Sequence, residues 1–96
     1  MKTSHALPSE LTIYTVAETR LIWLSWLAAE AGAGQNDAFA VDAAAVQEVD
    51  AAGVQLLLAL QRTLVARQQA LRLVGPSSAL AAACQALGAQ ALVAEA

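Results

Sequence analysis

The sequence has very few of the residues from which enzymes and nucleic-acid-binding proteins build their sites. It contains one cysteine, one histidine and five basic residues, and its net charge is -3. One cysteine cannot form a disulfide within the chain, and one cysteine with one histidine is too small a ligand set for a typical transition-metal site. Five scattered bases do not form the basic surface that nucleic acids require. We therefore expect no metal, no cofactor and no nucleic-acid partner.

Long apolar runs and targeting segments are also missing. The most apolar stretch, residues 21–29, is bounded by Arg20 and Glu30 and is far shorter than the ~20 residues that cross a membrane. Residues 1–8 contain one lysine and no apolar centre, so they do not resemble a signal peptide. We therefore expect a cytoplasmic protein that does not insert into a membrane.

Alanine dominates what is present. Hydrophobic residues make up 58% of the 96 residues, and about a quarter of the chain is alanine. Alanine favours helix but buries little surface, so the core must depend on leucine, valine and the two tryptophans. The length allows one modest core, and we expect residues 1–96 to form a single domain.

Apolar periodicity and chain-breaking residues predict alternating strands and helices. We expect strands at residues 3–7, 10–14, 38–41, 71–74 and 91–93, and helices at residues 15–31, 50–69 and 77–88. The order of elements between residues 39 and 74 implies a right-handed crossover with parallel pairing. The fold class is therefore α/β, with helices packed on a small central sheet.

Helix caps can be assigned from short-range patterns. Thr15 and Glu18 form a capping-box pattern at the first helix, in which the hydroxyl accepts from the Glu18 amide. Asp50 is expected to cap the second helix, and Ser77 or Ser78 the third.

Candidate catalytic groups are few and poorly arranged. His5 has no partner nearby in the sequence, and Cys84 lies in an alanine run where a small buried hydrophobe is expected. Asp42, Glu48 and Asp50 surround one strand-to-helix connection, but Asp50 already has a role as a cap. We therefore expect the protein not to be an enzyme.

Residues 41–57, which read VDAAAVQEVDAAGVQLL, are the most informative segment. An apolar strand ends in an aspartate, and after a short loop Asp50-Ala51-Ala52-Gly53 begins an amphipathic helix. The small side chains leave the first turn bare, so that its amides and positive dipole end face outward. This arrangement suits docking of a partner or of an added phosphate. A helix start packed tightly on the sheet is the equally favoured alternative.

This segment resembles the STAS domain family, which includes the anti-sigma-factor antagonists. The family motif is an apolar strand, an aspartate, a short loop, then Asp-Ser-Ser-Gly or Asp-Thr-Ala-Gly and a leucine-rich helix. Glu10-Leu11-Thr12 is similar to the family's Gly-Glu-Leu-Asp turn, and residues 71–76 are similar to its penultimate strand and exit. The resemblance covers about residues 9–93. It implies a small mixed central sheet of four to five strands with about three helices.

Two positions depart from the family pattern. Ala51 stands where the family has its phosphorylated serine or threonine, and Thr12 replaces an acidic residue that is often found there. Alanine has no hydroxyl group, so it cannot be phosphorylated. The resemblance therefore implies the docking surface but not its phosphorylation switch.

The resemblance implies a regulatory interaction module that docks a signalling partner, either an anti-sigma kinase or a chemotaxis component. The alternative is a small subunit of a lipid-transporting ABC system, with the ATPase as partner. Leu56 lies opposite Val54, Leu58 and Val65 on a helical wheel, which indicates an outward position. The residues expected to contact the partner are Asp50, Ala51, Ala52, Gly53 and Leu56.

The first helix has more large apolar residues than one small sheet can cover. Val16, Trp23 and Leu27 share one side, which the family's register directs at the sheet. Leu21 and Leu24 lie on a second side. This second side is either tolerated surface or a contact with another molecule. We predict a weak homodimer, or a partner contact, through Leu21 and Leu24.

Overall fold

The computed structural model describes residues 5–29 and 38–93. Three α-helices and four short strands are interspersed along these residues, as the α/β prediction requires. In chain order the elements are β1 (Glu10–Leu11), α1 (Val16–Ala29), β2 (Phe39–Asp42), β3 (Glu48–Val49), α2 (Ala51–Ala66), β4 (Leu71–Val74), α3 (Ser78–Ala86) and a 3₁₀ helix (Gln90–Leu92). Within the described ranges, no helix combines the length and apolar character needed to cross a bilayer.

The strands form two parallel ladders. β1 pairs with β3, and β2 pairs with β4 in a register that runs from Phe39 opposite Leu71 to Asp42 opposite Val74. Residues 5–7 lie beside β2, where Leu7 N–H donates to the Asp42 carbonyl at 2.9 Å. The expected single mixed sheet of four to five strands is therefore not found in the described part of the chain, and all of its ladders are parallel. The predicted strand at residues 3–7 lies partly outside the described residues.

The turn after β1 replaces the rest of a predicted strand. The Thr12 hydroxyl donates to Glu10 Oε2 at 2.7 Å and accepts from Tyr14 N–H at 3.2 Å, so the chain bends after Leu11. Thr12 N–H donates to the Thr15 hydroxyl, which itself lies 3.0 Å from the Glu10 carbonyl. Because this hydroxyl is engaged by the turn, the predicted capping box with Glu18 does not form.

Residues 88–93 also lack the strand that was predicted there. Gly88 has φ +72°, a left-handed conformation that ends the third helix and turns the chain back toward the core. Ala89 N–H then donates to the Cys84 carbonyl at 2.7 Å, and Leu92 is buried. The predicted strand at residues 91–93 is therefore wrong, because this return is made by a 3₁₀ helix.

The core lies between the ladders and the three helices. Trp23 and Leu27 are buried and Val16 packs against the core, so the predicted inward side of α1 does face inward, but its most extensive contacts are with α2 and not, as expected, with the sheet. Cys84 is fully buried, as expected of a small hydrophobe, and its burial raises the pKa of the thiol. The fully buried large side chains are Phe39, Leu11, Leu57, Leu60, Leu64, Leu73, Leu80, Val41, Val46 and Val54.

Candidate functional site

The Asp50 side chain joins two separate parts of the chain. Its Oδ1 accepts from Gly53 N–H at 3.1 Å, which confirms the predicted N-cap of α2. Its Oδ2 accepts from Ile13 N–H at 3.0 Å, across 37 positions of sequence. One carboxylate therefore fixes the loop after β1 beside the first turn of α2.

These hydrogen bonds also set the charge state of Asp50. The backbone N–H of Ile13, followed by that of Gly53, holds the pKa of the Asp50 carboxyl below its usual range. Both donors favour the ionised form, because their hydrogen bonds to the carboxylate oxygens stabilise its negative charge. The site therefore carries a fixed negative charge at neutral pH.

Gly53 allows α2 to approach β1 closely. A Cβ atom at this position would lie 2.0 Å from the Leu11 carbonyl oxygen. Asp50 N–H donates to the same oxygen at 3.3 Å. Glycine is thus required by packing here, which is the tightly packed alternative that the sequence left open.

The other two residues of the turn are placed differently. Ala51 is exposed and Ala52 is half-buried, so the bare first turn predicted from the small side chains holds for Ala51. Next to this turn, Ile13 and Tyr14 are 61% and 89% exposed. The Asp50 carboxylate therefore holds the backbone of Ile13 beside the start of α2, in a segment that carries an exposed aliphatic and an exposed aromatic side chain.

An acidic groove adjoins this turn. It has a volume of about 480 Å³, and its lining residues are Glu10, Thr12, Tyr14, Gln47, Glu48, Val49, Asp50 and Ala79. Glu10 and Glu48 are register partners in the parallel β1–β3 ladder, so two acidic residues line the same part of the groove. None of these described lining residues is basic.

The sequence grouped Asp42 with Glu48 and Asp50, and the structure separates it from them. The Asp42 carboxylate accepts from Ala44 N–H at 2.9 Å at the end of β2. Glu10 takes its place in the groove, because β3 pairs with β1. The signal that was missed is this two-residue strand, Glu48–Val49, which the sequence reading treated as loop.

The outward orientation predicted for Leu56 is wrong. Leu56 is 8% exposed and belongs to the core, whereas Val65, which was placed on the inner side, is 63% exposed. The buried side of α2 is wide because α1 and α3 both pack against it. The exposed residues of α2 that follow Ala51 are Gln55, Ala59, Arg62, Val65 and Ala66.

The second side of α1 is exposed, as expected. Leu21 and Leu24 are 66% and 39% exposed, and Ile22, which lies on another side of the helix, is 48% exposed. Trp26 is half-buried against the core, and its ring stacks on His5 with 4.7 Å between centroids. Within residues 5–29 and 38–93, no three His, Cys, Asp or Glu side chains are grouped so that they could hold a metal ion.

The fold and the turn at Asp50 can be compared with known proteins. A protein-family model described as "Mlab, STAS domain" matches residues 7–94. No curated protein and no solved structure matches the chain. The family match spans nearly the whole sequence and includes both the Asp50–Gly53 turn and the helices around it. The chain therefore belongs to the STAS domain family.

Proposed function

We propose that this protein is a non-enzymatic, cytoplasmic regulatory module that binds another protein through a docking surface. This surface consists of the turn Asp50–Gly53 and the exposed side chains of Ile13 and Tyr14. The observation that carries the proposal is the Asp50 carboxylate, which accepts N–H groups from both parts at 3.0 and 3.1 Å. A surface fixed in this way is ordered before the partner arrives, which lowers the entropic cost of binding.

The side chains of the docking surface suit a protein partner. A few residues near the centre of an interface, tyrosine prominent among them, supply most of its binding energy when they become buried. Tyr14 and Ile13 are exposed enough to act in this way. Glu10 and Glu48 line the adjacent groove, so a partner with a basic side chain at this position would be favoured in encounter and in register. Leu56 supports the surface from the core and does not need to touch the partner.

Ala51 decides how binding can be controlled. In the STAS proteins that this turn resembles, the residue at this position is phosphorylated. A phosphate of about -1.5 to -2 charge there displaces the partner. Ala51 is exposed but has no hydroxyl group. We therefore propose that binding is not switched by phosphorylation at this turn.

The proposed partner is a signalling protein, either an anti-sigma kinase or a chemotaxis component. A second candidate role is that of a small subunit of a lipid-transporting ABC system, bound to its ATPase. Ala51 favours this second role in one respect, because a permanent subunit needs no phosphorylation switch. Affinity capture from the native cell distinguishes the two, since it recovers either a kinase or chemotaxis component or an ATPase.

The docking surface is tested by titrating the captured partner with variants. Ala51→Glu places a negative charge beside the first turn of α2, and it should weaken binding at least tenfold, or about 1.4 kcal/mol. Ala86→Glu adds the same charge at an exposed position at the end of α3 and should leave the affinity unchanged. Equal affinity of Ala51→Glu and wild type would remove this turn from the interface.

A further inference from the structure

The loop between β1 and α1 carries the exposed side chains of Ile13 and Tyr14. Each backbone N–H group of residues 12–16 donates a hydrogen bond within the described part of the chain. Two of these groups donate to the Thr12 carbonyl at 2.9 Å, and the others donate to side-chain oxygens. The shape of the loop therefore depends on particular side chains, and their loss would loosen it without changing Ile13 or Tyr14.

The half-buried Thr12 makes several of these hydrogen bonds. Its hydroxyl accepts from Tyr14 N–H at 3.2 Å and donates to Glu10 Oε2 at 2.7 Å. Its own N–H donates to the Thr15 hydroxyl at 3.0 Å. Thr12 thus holds the backbone of Tyr14 and also the carboxylate of Glu10, which lines the acidic groove. One hydroxyl group connects the exposed apolar part of the docking surface to the groove beside it.

We propose that Thr12 is the positioning residue of the docking surface. This inference rests on the function proposed above and adds to it the side chain that orders the loop before a partner arrives. Asp50 holds the loop at the Ile13 amide, and Thr12 holds it at the Tyr14 amide. A loop that is already ordered loses less conformational entropy when it binds. Removal of the Thr12 hydroxyl therefore weakens binding although Thr12 does not have to touch the partner.

A hydroxyl group suits position 12 because it donates one hydrogen bond and accepts others. An ionised carboxylate only accepts, so an aspartate here could not donate to Glu10 and would repel its negative charge. Serine keeps the hydroxyl and therefore both hydrogen bonds. Valine keeps the shape of threonine and loses both. These two substitutions separate the hydrogen bonds of Thr12 from its packing.

Amide hydrogen exchange tests the positioning without a partner. In Thr12→Val, the Tyr14 amide should exchange at least about fivefold faster than in wild type, because its acceptor is lost. Thr12→Ser should keep the slow exchange. Thr63→Val is the matched control, because it removes a hydroxyl that donates to the Ala59 carbonyl at 3.0 Å within α2. This control should leave the Tyr14 amide unchanged.

Titration with the partner recovered by affinity capture tests the consequence for docking. Thr12→Val should weaken binding roughly five- to tenfold, whereas Thr12→Ser and Thr63→Val should bind as wild type does. Each variant is titrated at a temperature at which circular dichroism shows it to be folded, so that lost stability does not enter the affinity. If Thr12→Val does not fold, Thr12→Ala is compared with Thr12→Ser, from which it differs only by the hydroxyl group.

Three results would overturn the proposal while leaving the docking surface in place. The first is unchanged exchange of the Tyr14 amide in Thr12→Val. The second is faster exchange with unchanged affinity, while Ala51→Glu still weakens binding. The third is a Thr12→Ser variant that binds as weakly as Thr12→Val, which would assign the effect to the methyl group. If Thr12→Val and Ala51→Glu both bind as wild type does, the proposed docking surface itself is wrong, and the role of Thr12 fails with it.

Discussion

Replacing Gly53 with alanine should destabilise the domain, although the residue lies in a helix. At an ordinary helical position, alanine is more stable than glycine by about 1 kcal/mol. At this position the added methyl carbon would lie 2.0 Å from the Leu11 carbonyl oxygen and 2.8 Å from the Leu11 carbonyl carbon. Both atoms belong to the backbone, so no side-chain rotation can relieve the overlap.

The magnitude follows from the shift that the methyl group requires. The shortest ordinary non-bonded distance between a carbon and a carbonyl oxygen is about 3.3 Å. The first turn of α2 must therefore move away from β1 by roughly 1.3 Å. Overpacking costs about 1–3 kcal/mol, and overlap with backbone belongs near the upper limit. After the gain in helix propensity of about 1 kcal/mol, we expect a net loss of about 2 kcal/mol. For a chain of this size, that loss lowers Tm by roughly 8–16 °C.

Thermal and urea unfolding followed by circular dichroism measure this loss. The matched control is Ala59→Gly, which removes a methyl group at an exposed position of the same helix and should cost about 1 kcal/mol. Gly53→Ala adds a methyl group and Ala59→Gly removes one, yet both should destabilise the domain. If Gly53→Ala were as stable as wild type while Ala59→Gly lost stability, α2 would not lie against Leu11, and the geometry of the docking surface would be wrong.

Three further predictions concern Asp50, Ser77 and phosphorylation. Because the pKa of Asp50 is lowered in the folded state, its contribution to stability is present above the unfolded value of about 3.9 and is lost as pH falls through the folded value. Between about pH 5 and about pH 2, the free energy of unfolding measured in urea should therefore fall less for Asp50→Asn than for wild type. An identical fall in the two proteins would contradict this role of Asp50. Ser77→Ala removes the oxygen that accepts from Leu80 N–H at 3.1 Å and should cost about 1 kcal/mol, whereas the exposed Ser78→Ala should change stability by less than about 0.5 kcal/mol. Intact-mass measurement after incubation with a kinase from the native cell should find no phosphate on residues 46–60 of wild type, and a phosphate mapped there would refute the assignment of Ala51.

The features that could be predicted from the sequence are those set by neighbouring residues. The cap at Asp50 was predicted, and the cap of α3 was narrowed to Ser77 or Ser78, of which the structure uses Ser77, because each capping side chain accepts from an amide three positions away. β2 and β4 were predicted because short apolar runs next to turn residues are typical of buried strands. The inward side of α1 was predicted because Trp23 and Leu27 repeat at helical spacing.

The features that were missed depend on distant contacts. β3 has two residues, and it exists because it pairs with β1 far earlier in the chain. The bond from Ile13 N–H to Asp50 spans 37 positions and has no local signature. Leu56 was placed outward because a helical wheel assumes one inner direction, whereas α2 is packed on two further sides by α1 and α3.

The docking turn contains two small residues with opposite physical requirements. Gly53 must be small because the Leu11 carbonyl oxygen occupies the space that any side chain would need. Ala51 is exposed, so a serine or threonine would fit there without steric cost. Packing therefore explains the glycine but does not explain the alanine. Since the fold tolerates a hydroxyl at position 51 and the chain lacks it, Ala51 supports the proposal of a docking surface that works without phosphorylation at this turn.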